Sequence, residues 1–424
     1  MFEKRSLRSL VERQQGGGTP DRNNPRFWNG PIPWASVKDF ADNQLILDST
    51  EESITQQGLT ASSTNLIPAG TPLVCTRMAV GRCAISNSDV TINQDVKALF
   101  PKANVSPRYL LRLLDSLKFH AESVSVGSTV KGIRISDLLG IQTPTAPPYE
   151  QTKIAQILDT LDTQIQKTEA LIAKLEKIKE GLLHDLLTRG INQNGQLRPT
   201  PVQAPEIYKE SAFGLIPKEW AIATVRHDFD IDSGFTLGPH RKPERNARPY
   251  LRVANVHRGR LDLSEIAYLD ARDDEIAKKS LSEDDLLIVE GHANPNEIGR
   301  CAMATDAVLG VTFQNHLFRL RATDSLPHFA FLWMNSHIVK QYWRKAASSS
   351  SGLYTINRTK LEAVPTAKPG RTEQLVISTL VRNYENEIAA TIRECEKLKR
   401  LKVGIADDLL TGHVRVTALL KDEA

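Results

Sequence analysis

Residues 150–188 read EQTKIAQILDTLDTQIQKTEALIAKLEKIKEGLLHDLLT, and residues 373–411 read EQLVISTLVRNYENEIAATIRECEKLKRLKVGIADDLLT. The two stretches align without a gap at one offset, since 373 − 150 and 411 − 188 are both 223. Ile154 meets Ile377, Ile165 meets Ile388, Thr168 meets Thr391, Gly181 meets Gly404, and Asp185-Leu186-Leu187-Thr188 meets Asp408-Leu409-Leu410-Thr411. A repeat of this length in a chain of 424 residues means two copies of one unit, and it governs how everything else is read.

Each copy predicts a helix with a single seam. Ile154, Leu158, Leu161, Ile165, Thr168, Ile172 and Leu175 alternate spacings of four and three, and Ile377, Val381, Tyr384, Ile388, Thr391, Cys395 and Leu398 repeat them in register. This is the a/d pattern of a coiled coil, carried for about three heptads. Charged and amide side chains fill the other faces, among them Asp159, Asp162, Lys174, Arg382, Glu385 and Lys399. One apolar stripe wants one main partner, and the nearest matching stripe is the other copy. The alternatives are packing on a globular neighbour or pairing with a second chain. At about 1.5 Å per residue such a helix is a rod on the order of 58 Å long, which suits a spacer better than a core element.

The composition is that of a soluble protein: 40% hydrophobic, 25% charged, and a formal net charge of +4. That mild basicity allows a nucleic-acid partner without requiring one. Cys75, Cys83, Cys301 and Cys395 show neither a C-x-x-C pair nor histidines at zinc spacing, so they read as reduced thiols of a cytoplasmic protein, and no metal site is expected. No apolar run is long enough for a membrane helix, and the charged Glu3-Lys4-Arg5 start does not suit a secretory signal.

The segments ahead of the helices lack helical period. Their short apolar runs, broken by Gly, Pro, Asn and Asp, predict β-rich α+β domains. They also match each other loosely. Pro33-Trp34-Ala35-Ser36-Val37 corresponds to Pro249-Tyr250-Leu251-Arg252-Val253, Gly81-Arg82-Cys83-Ala84 to Gly299-Arg300-Cys301-Ala302, and Gly127-Ser128-Thr129-Val130-Lys131 to Ser350-Ser351-Gly352-Leu353-Tyr354. Tyr109–Leu114 and Phe329–Met334 each predict a short buried helix behind a proline. The expected layout is a first domain at 1–149, a helix at 150–188, a turn-rich linker at 189–219, a second domain at 220–372, a helix at 373–411 and a tail at 412–424. With the linker returning the chain, the helices run antiparallel.

These features resemble the specificity subunit of type I restriction-modification enzymes. The resemblance lies in Gly17-Gly18-Thr19-Pro20, in Trp28 through Asp39, in Thr188-Arg189-Gly190-Ile191-Asn192, in Gly214-Leu215-Ile216-Pro217-Lys218-Glu219-Trp220, and in the Glu-Gln openings of both helices. It implies two target-recognition domains, each reading one half of a bipartite DNA site. It further implies helices that dock two adenine-N6 methyltransferase subunits, S-adenosylmethionine held by those partners and not by this chain, and a restriction (motor-nuclease) subunit able to join. The first half has no counterpart of Gly214–Trp220 ahead of it, so its completion is expected to draw on the tail, Gly412–Leu420.

Catalytic signatures are not found. Asn294-Pro295-Asn296-Glu297 shares only two residues with an adenine-methyltransferase loop and reads as an Asn-Pro turn. There is no G-x-x-x-x-G-K-[ST] loop, and Gly16-Gly17-Gly18-Thr19 lacks the lysine. The rival readings are a stand-alone two-headed DNA-binding regulator and a coiled-coil scaffold without a nucleic-acid role. If the chain reads DNA, Lys and Arg position the backbone while Arg, Asn, Gln and Tyr on loops read base edges. The candidates are Arg77, Arg82, Asn93, Gln94, Thr129, Lys131 and Arg134 in the first domain, and Arg252, His292, Asn294, Arg300, Asn315, Tyr354, Asn357 and Arg358 in the second. Arg82 and Arg300 share one phrase, so a structural or phosphate-directed role suits them better than base reading. Ser348-Ser349-Ser350-Ser351-Gly352 is expected to be a DNA-facing loop.

Overall fold

A computed structural model of the chain describes residues 1–42, 44–127, 131–244, 246–350 and 353–420. The chain forms two compact units, one of residues 1–170 with 392–424 and one of residues 171–391. The two long helices run Pro148–Thr188 and Arg371–Thr411, so each contributes one half to each unit.

In the first unit, Val11–Gly16, Val96–Pro101, Pro72–Cys75, Cys83–Ser86 and Ile46–Leu47 form a five-stranded sheet in that order. A second sheet orders Glu52–Ile54, Trp28–Ala35, Val90–Ile92 and Leu66–Ile67. Pro72–Cys75 and Cys83–Ser86 are buried throughout, as expected of short unbroken apolar runs at the centre of a sheet. The helix Pro107–Ser116, with proline in its first turn and Ser106 as N-cap, lays Tyr109, Leu110, Leu113 and Leu114 into the core.

The second unit repeats that order with Phe229–Ser233, Leu317–Ala322, Leu286–Val289 and Cys301–Met303. Its other sheet runs Ala267–Asp270, Ala247–Leu251, Thr312–Phe313. In both units the middle strand of this smaller sheet has one antiparallel and one parallel neighbour: Trp34 pairs parallel with Thr91, and Tyr250 with Thr312. The turns that follow are also alike, since Ser36 N–H donates to Asp39 at 2.7 Å and Arg252 N–H donates to Asn255 at 2.8 Å. Pro327–Met334 is the second copy of the short buried helix.

Within the first unit Lys402 pairs with Asp162 and Lys399 with Glu169, each at 2.6 Å, so one helix descends as the other ascends. Within the second unit Lys179 lies 3.7 Å from Glu385. The helices form an antiparallel intramolecular coiled coil whose fourteen seam positions are all buried or half-buried. Thr168 and Thr391 return their hydroxyls to the carbonyls of Gln164 and Glu387 at 2.8 Å, which satisfies the two polar seam positions. The repeated Asp-Leu-Leu-Thr endings enter the cores. Leu409 and Leu410 pack in the first unit with Ile154 and Leu158, and Leu186 and Leu187 in the second with Ile377 and Val381.

Residues 189–219 are more structured than a plain linker. Tyr208–Lys209 pairs with Ile216–Pro217, Ile191 bridges Leu197, and the segment packs on the second core. Among the described residues no helix is long and apolar enough to cross a membrane.

Candidate nucleic-acid interface

The Glu-Gln pair that opens each long helix builds the frame on which the exposed loops sit. Gln151 accepts from Ser106 N–H at 2.9 Å and donates to Ala146 O at 2.9 Å; Gln374 accepts from Leu326 N–H at 2.8 Å and donates to Pro369 O at 2.9 Å. Each glutamine therefore ties the long helix to the start of the short buried helix. Glu150 is wholly buried and takes the Arg415 guanidinium together with Val416 N–H. Glu373 takes Arg198 at 2.5 Å, Ile191 N–H at 2.8 Å and Trp220 Nε1 at 3.2 Å. Gly412 and Gly190 both sit in the left-handed region past the helix ends, with φ of 77° and 64°. A methyl on Gly412 would strike the Phe2 ring, and one on Gly190 would strike Glu373 and Trp220. Phe2, whose N–H donates to Thr411 O at 2.8 Å, thus fills in the first unit the place of Trp220. The tail contributes Val416 to the core of the first unit.

The exposed candidates of the first unit gather on one edge. Arg77 bridges Gly132, its guanidinium 59% exposed and 4.0 Å from Asp95. Asn93 is buried and accepts from Asp95 N–H at 3.1 Å, which makes it a turn former and not a free reader. Gln94 accepts from the Thr19 hydroxyl at 2.8 Å, bringing the glycine-rich loop alongside. Lys131 is exposed, and its carbonyl accepts from Met78 N–H at 2.9 Å. Arg134 is exposed at the start of Ile135–Gly140. Thr129 lies outside the described residues.

In the second unit Gly291-His292 pairs with Tyr354-Thr355, and Ser348–Ser350 adds a third strand. The proposed serine loop is thus partly strand, while Ser351 and Gly352 lie outside the described residues. His292 Nδ1 meets Asn294 N–H at 2.9 Å, and Asn294 caps the turn Pro295–Glu297. Arg258 and Arg344 reach that turn through Asn296, at 3.1 and 2.6 Å. Burial of Arg258 pushes its guanidinium below the usual range, a cost borne by a scaffold residue. Asn357 caps Arg358–Glu362, and Arg358 is paired with Glu362 at 2.8 Å. Asn315 is half-buried, its N–H donating to Phe235 O at 3.0 Å. Arg252 pairs with Glu265 at 2.9 Å.

Arg82 donates to Phe40 O at 3.0 Å and to Asp42 at 2.7 Å, and Arg300 donates to Val253 O at 2.8 Å. Each arginine pins the turn after the middle strand of the smaller sheet, in keeping with the structural reading of their shared phrase. Asp407, Asp408 and His413 bring ligand atoms within 4.8 Å of one another at the end of the second long helix. They form a solvated acidic helix end, and no further feature there points to an ion. Sequence reasoning missed Met78, whose side chain is 65% exposed and whose φ is 64°. An isolated methionine in a loop gives no periodic signal.

Comparison with known proteins shows what the chain is similar to. The chain is 29% identical over 249 residues to the type I restriction enzyme MjaIX specificity subunit of Methanocaldococcus jannaschii, covering 58% of this chain and 56% of that protein. It is 34% identical over 169 residues to the EcoR124I/EcoR124II specificity subunit of Escherichia coli, covering 38% and 41%. The chain thus spans about half the length of these curated relatives. The fold matches the crystal structure of a type I restriction-modification S subunit from M. genitalium with a TM-score of 0.57 and 14% identity, over 97% of this chain and 96% of that one. Residues 1–177 match the type I restriction modification DNA specificity domain.

Proposed function

We propose that this chain is the non-catalytic subunit that chooses the DNA sequence for a type I restriction-modification complex. The observation that carries this reading is the duplicated frame. The same order of strands, the same Glu-Gln helix openings and the same pinned turns occur twice, while the exposed loops on them differ. Two readers on one frame suit a DNA site with two different halves. Arg77, Gln94, Lys131 and Arg134 would face one half, and His292 and Tyr354 the other. Phosphate contacts supply register and affinity, and base-edge contacts supply the sequence.

The polar outer faces of the long helices are the surface on which two adenine-N6 methyltransferase subunits dock, and a restriction subunit joins that assembly. S-adenosylmethionine belongs to the methyltransferase subunits. The buried thiols fit a reducing cytoplasm, since all four cysteines are free and covered.

The test is an exchange of residues 220–372 for the matching region of a relative with a known site, followed by methylation-site sequencing of the assembled complex. One half of the recognised sequence changes and the other stays. A change in both halves, or in neither, rules the two-reader reading out. A coiled-coil scaffold would show no salt-dependent DNA binding at all.

A further inference from the structure

On each unit three short segments make a small arm beside the main sheet, and their registers correspond residue for residue. In the first unit Ile133 N–H donates to Thr76 O at 2.9 Å, Arg77 bridges Gly132, and Met78 N–H donates to Lys131 O at 2.9 Å. In the second Ile356 N–H donates to Glu290 O at 2.9 Å, Gly291 pairs with Thr355, and His292 pairs with Tyr354. The third segment also agrees: Val126 bridges Gly132 where Ser348 pairs with Thr355. Thus Ile133 stands for Ile356, Lys131 for Tyr354 and Met78 for His292.

The buried anchor is the same residue type in both arms, since Ile133 and Ile356 are both covered. The outward pair is not. Met78 and Lys131 are exposed in the first unit, while His292 and Tyr354 are half-exposed in the second. Exposed loop residues other than glycine usually hold relaxed backbone conformations at negative φ. Met78 is instead a large apolar side chain in open solvent, on a left-handed backbone that non-glycine residues rarely adopt. Val126, across the arm, is 80% exposed as well. Strain and apolar exposure kept together at one tip mark a contact surface.

We propose that Met78 with Lys131, and His292 with Tyr354, are equivalent base-reading pairs that make the two half-sites different. This rests on the reading of the chain as a DNA specificity subunit. The side-chain chemistry gives the direction of preference. Lysine only donates, so its arm favours base edges rich in acceptors, guanine N7 and O6 or thymine O4, and the Met78 side chain suits a thymine methyl. His292 has its Nδ1 engaged by Asn294 N–H, which leaves Nε2 as the other ring nitrogen, and the residue paired with it in register is Tyr354. With Nδ1 accepting, Nε2 carries the ring proton and donates, while the Tyr354 hydroxyl can accept as well as donate, so this arm also tolerates the adenine and cytosine amino groups through Tyr354.

The experiment is methylation-site sequencing of the complex with its methyltransferase subunits, using the double variant Met78→His with Lys131→Tyr and the reciprocal His292→Met with Tyr354→Lys. Each exchange is expected to move base preference by on the order of tenfold at one or two adjacent positions of one half-site. The other half and the gap between them stay as they were. Retained methylation with both half-sites unchanged overturns the assignment. So does a uniform loss of binding to all sequences with a flatter salt slope, because that is the signature of a phosphate contact. Thermal melting of each variant separates such a loss from unfolding, and single exchanges at Met78 or His292 then carry the test if a double variant does not fold. If the unaltered complex recognises no two-part site, the functional reading itself fails, and that outcome is distinct from the failure of the arms.

Discussion

Glu373 in the second unit and Glu150 in the first hold the same junction with differently connected chain. Gly190, Arg198 and Trp220 reach Glu373 from one continuous segment. Phe2 arrives at the corresponding junction from one side of the sequence, and Gly412, Arg415 and Val416 from the other. The contact is therefore required by the frame, whatever the order in which its parts are strung. The two copies differ in where the exposure falls. Arg198 is 9% exposed against Glu373, while Arg415 is 43% exposed against a Glu150 that is wholly buried.

That asymmetry predicts a crossed pattern, the largest effect expected here. Glu373→Ala leaves the buried Arg198 guanidinium with only the exposed Glu219 carboxylate and Arg189 O, and should cost about 3–5 kcal/mol. Glu150→Ala frees an arginine that can turn to water, and should cost about 1–3 kcal/mol. The arginine variants should rank the other way. Arg415→Met leaves a fully buried carboxylate, whereas Arg198→Met leaves Glu373 with Ile191 N–H and Trp220 Nε1. Hydrogen exchange resolved by unit measures all four, and equal losses in both units would break the comparison.

Next comes the seam. Ile388→Asp in the second unit and Leu161→Asp in the first each place a charge on an apolar stripe, for about 2–4 kcal/mol. Ile388 is more deeply buried than the half-buried Leu161, so its variant should melt lower. Unchanged melting in both would argue that the helices are not held by this stripe.

The glycines give a smaller difference. Gly190→Ala and Gly412→Ala both force a side chain into the left-handed region, at about 1–2 kcal/mol. The Gly190 variant should lose more, because its new methyl stands 2.2 Å from Glu373 Oε1 and 2.5 Å from Trp220, against 2.7 Å from the single Phe2 ring at Gly412.

The smallest effect is one of pH. In the first unit Arg112 grips Asp159 and Asp162, both at 2.5 Å, and Arg108 adds a bond to Asp159. In the second the matching tie between the short helix and the long one is His328 to Glu385 at 3.7 Å, with Lys179 nearby. Burial pushes the Glu385 carboxyl upward, but the His328 bond and the Lys179 charge outweigh it and hold it below the ordinary glutamate range. A carboxylate depressed in this way contributes its stability above pH about 4.5 and loses it as pH falls through the lowered value. Acid should therefore loosen this tie by up to about 1 kcal/mol. Glu385→Gln should remove that dependence in a melting series between pH 3 and 7.

The seam was legible because a two-number spacing was repeated in register 223 residues later, and the short buried helices because a proline preceded a mostly apolar run. The arginines at the helix openings were not. Arg415 lies 265 residues from Glu150 and Arg198 lies 175 from Glu373, so neither shares a window with its partner. Their mutual offset, 217, also departs from that of the helices. The structural work of Asn93, Asn294, Asn357 and Arg358 was hidden for a different reason. Caps and turn bonds use the same residue types as base readers, and only geometry tells a satisfied amide from a free one.

The tail that meets Glu150 also sets an order in time. The second unit is one uninterrupted span of sequence, 171–391, whereas the first needs Leu409, Leu410 and Val416 to fill its core. During synthesis the N-terminal part of the first unit leaves the ribosome early but stays open at that seam while more than two hundred further residues are added. The half made first is therefore the half finished last. Until then its Ile154, Leu158 and buried Glu150 stand exposed to chaperones or to misassembly with another nascent chain.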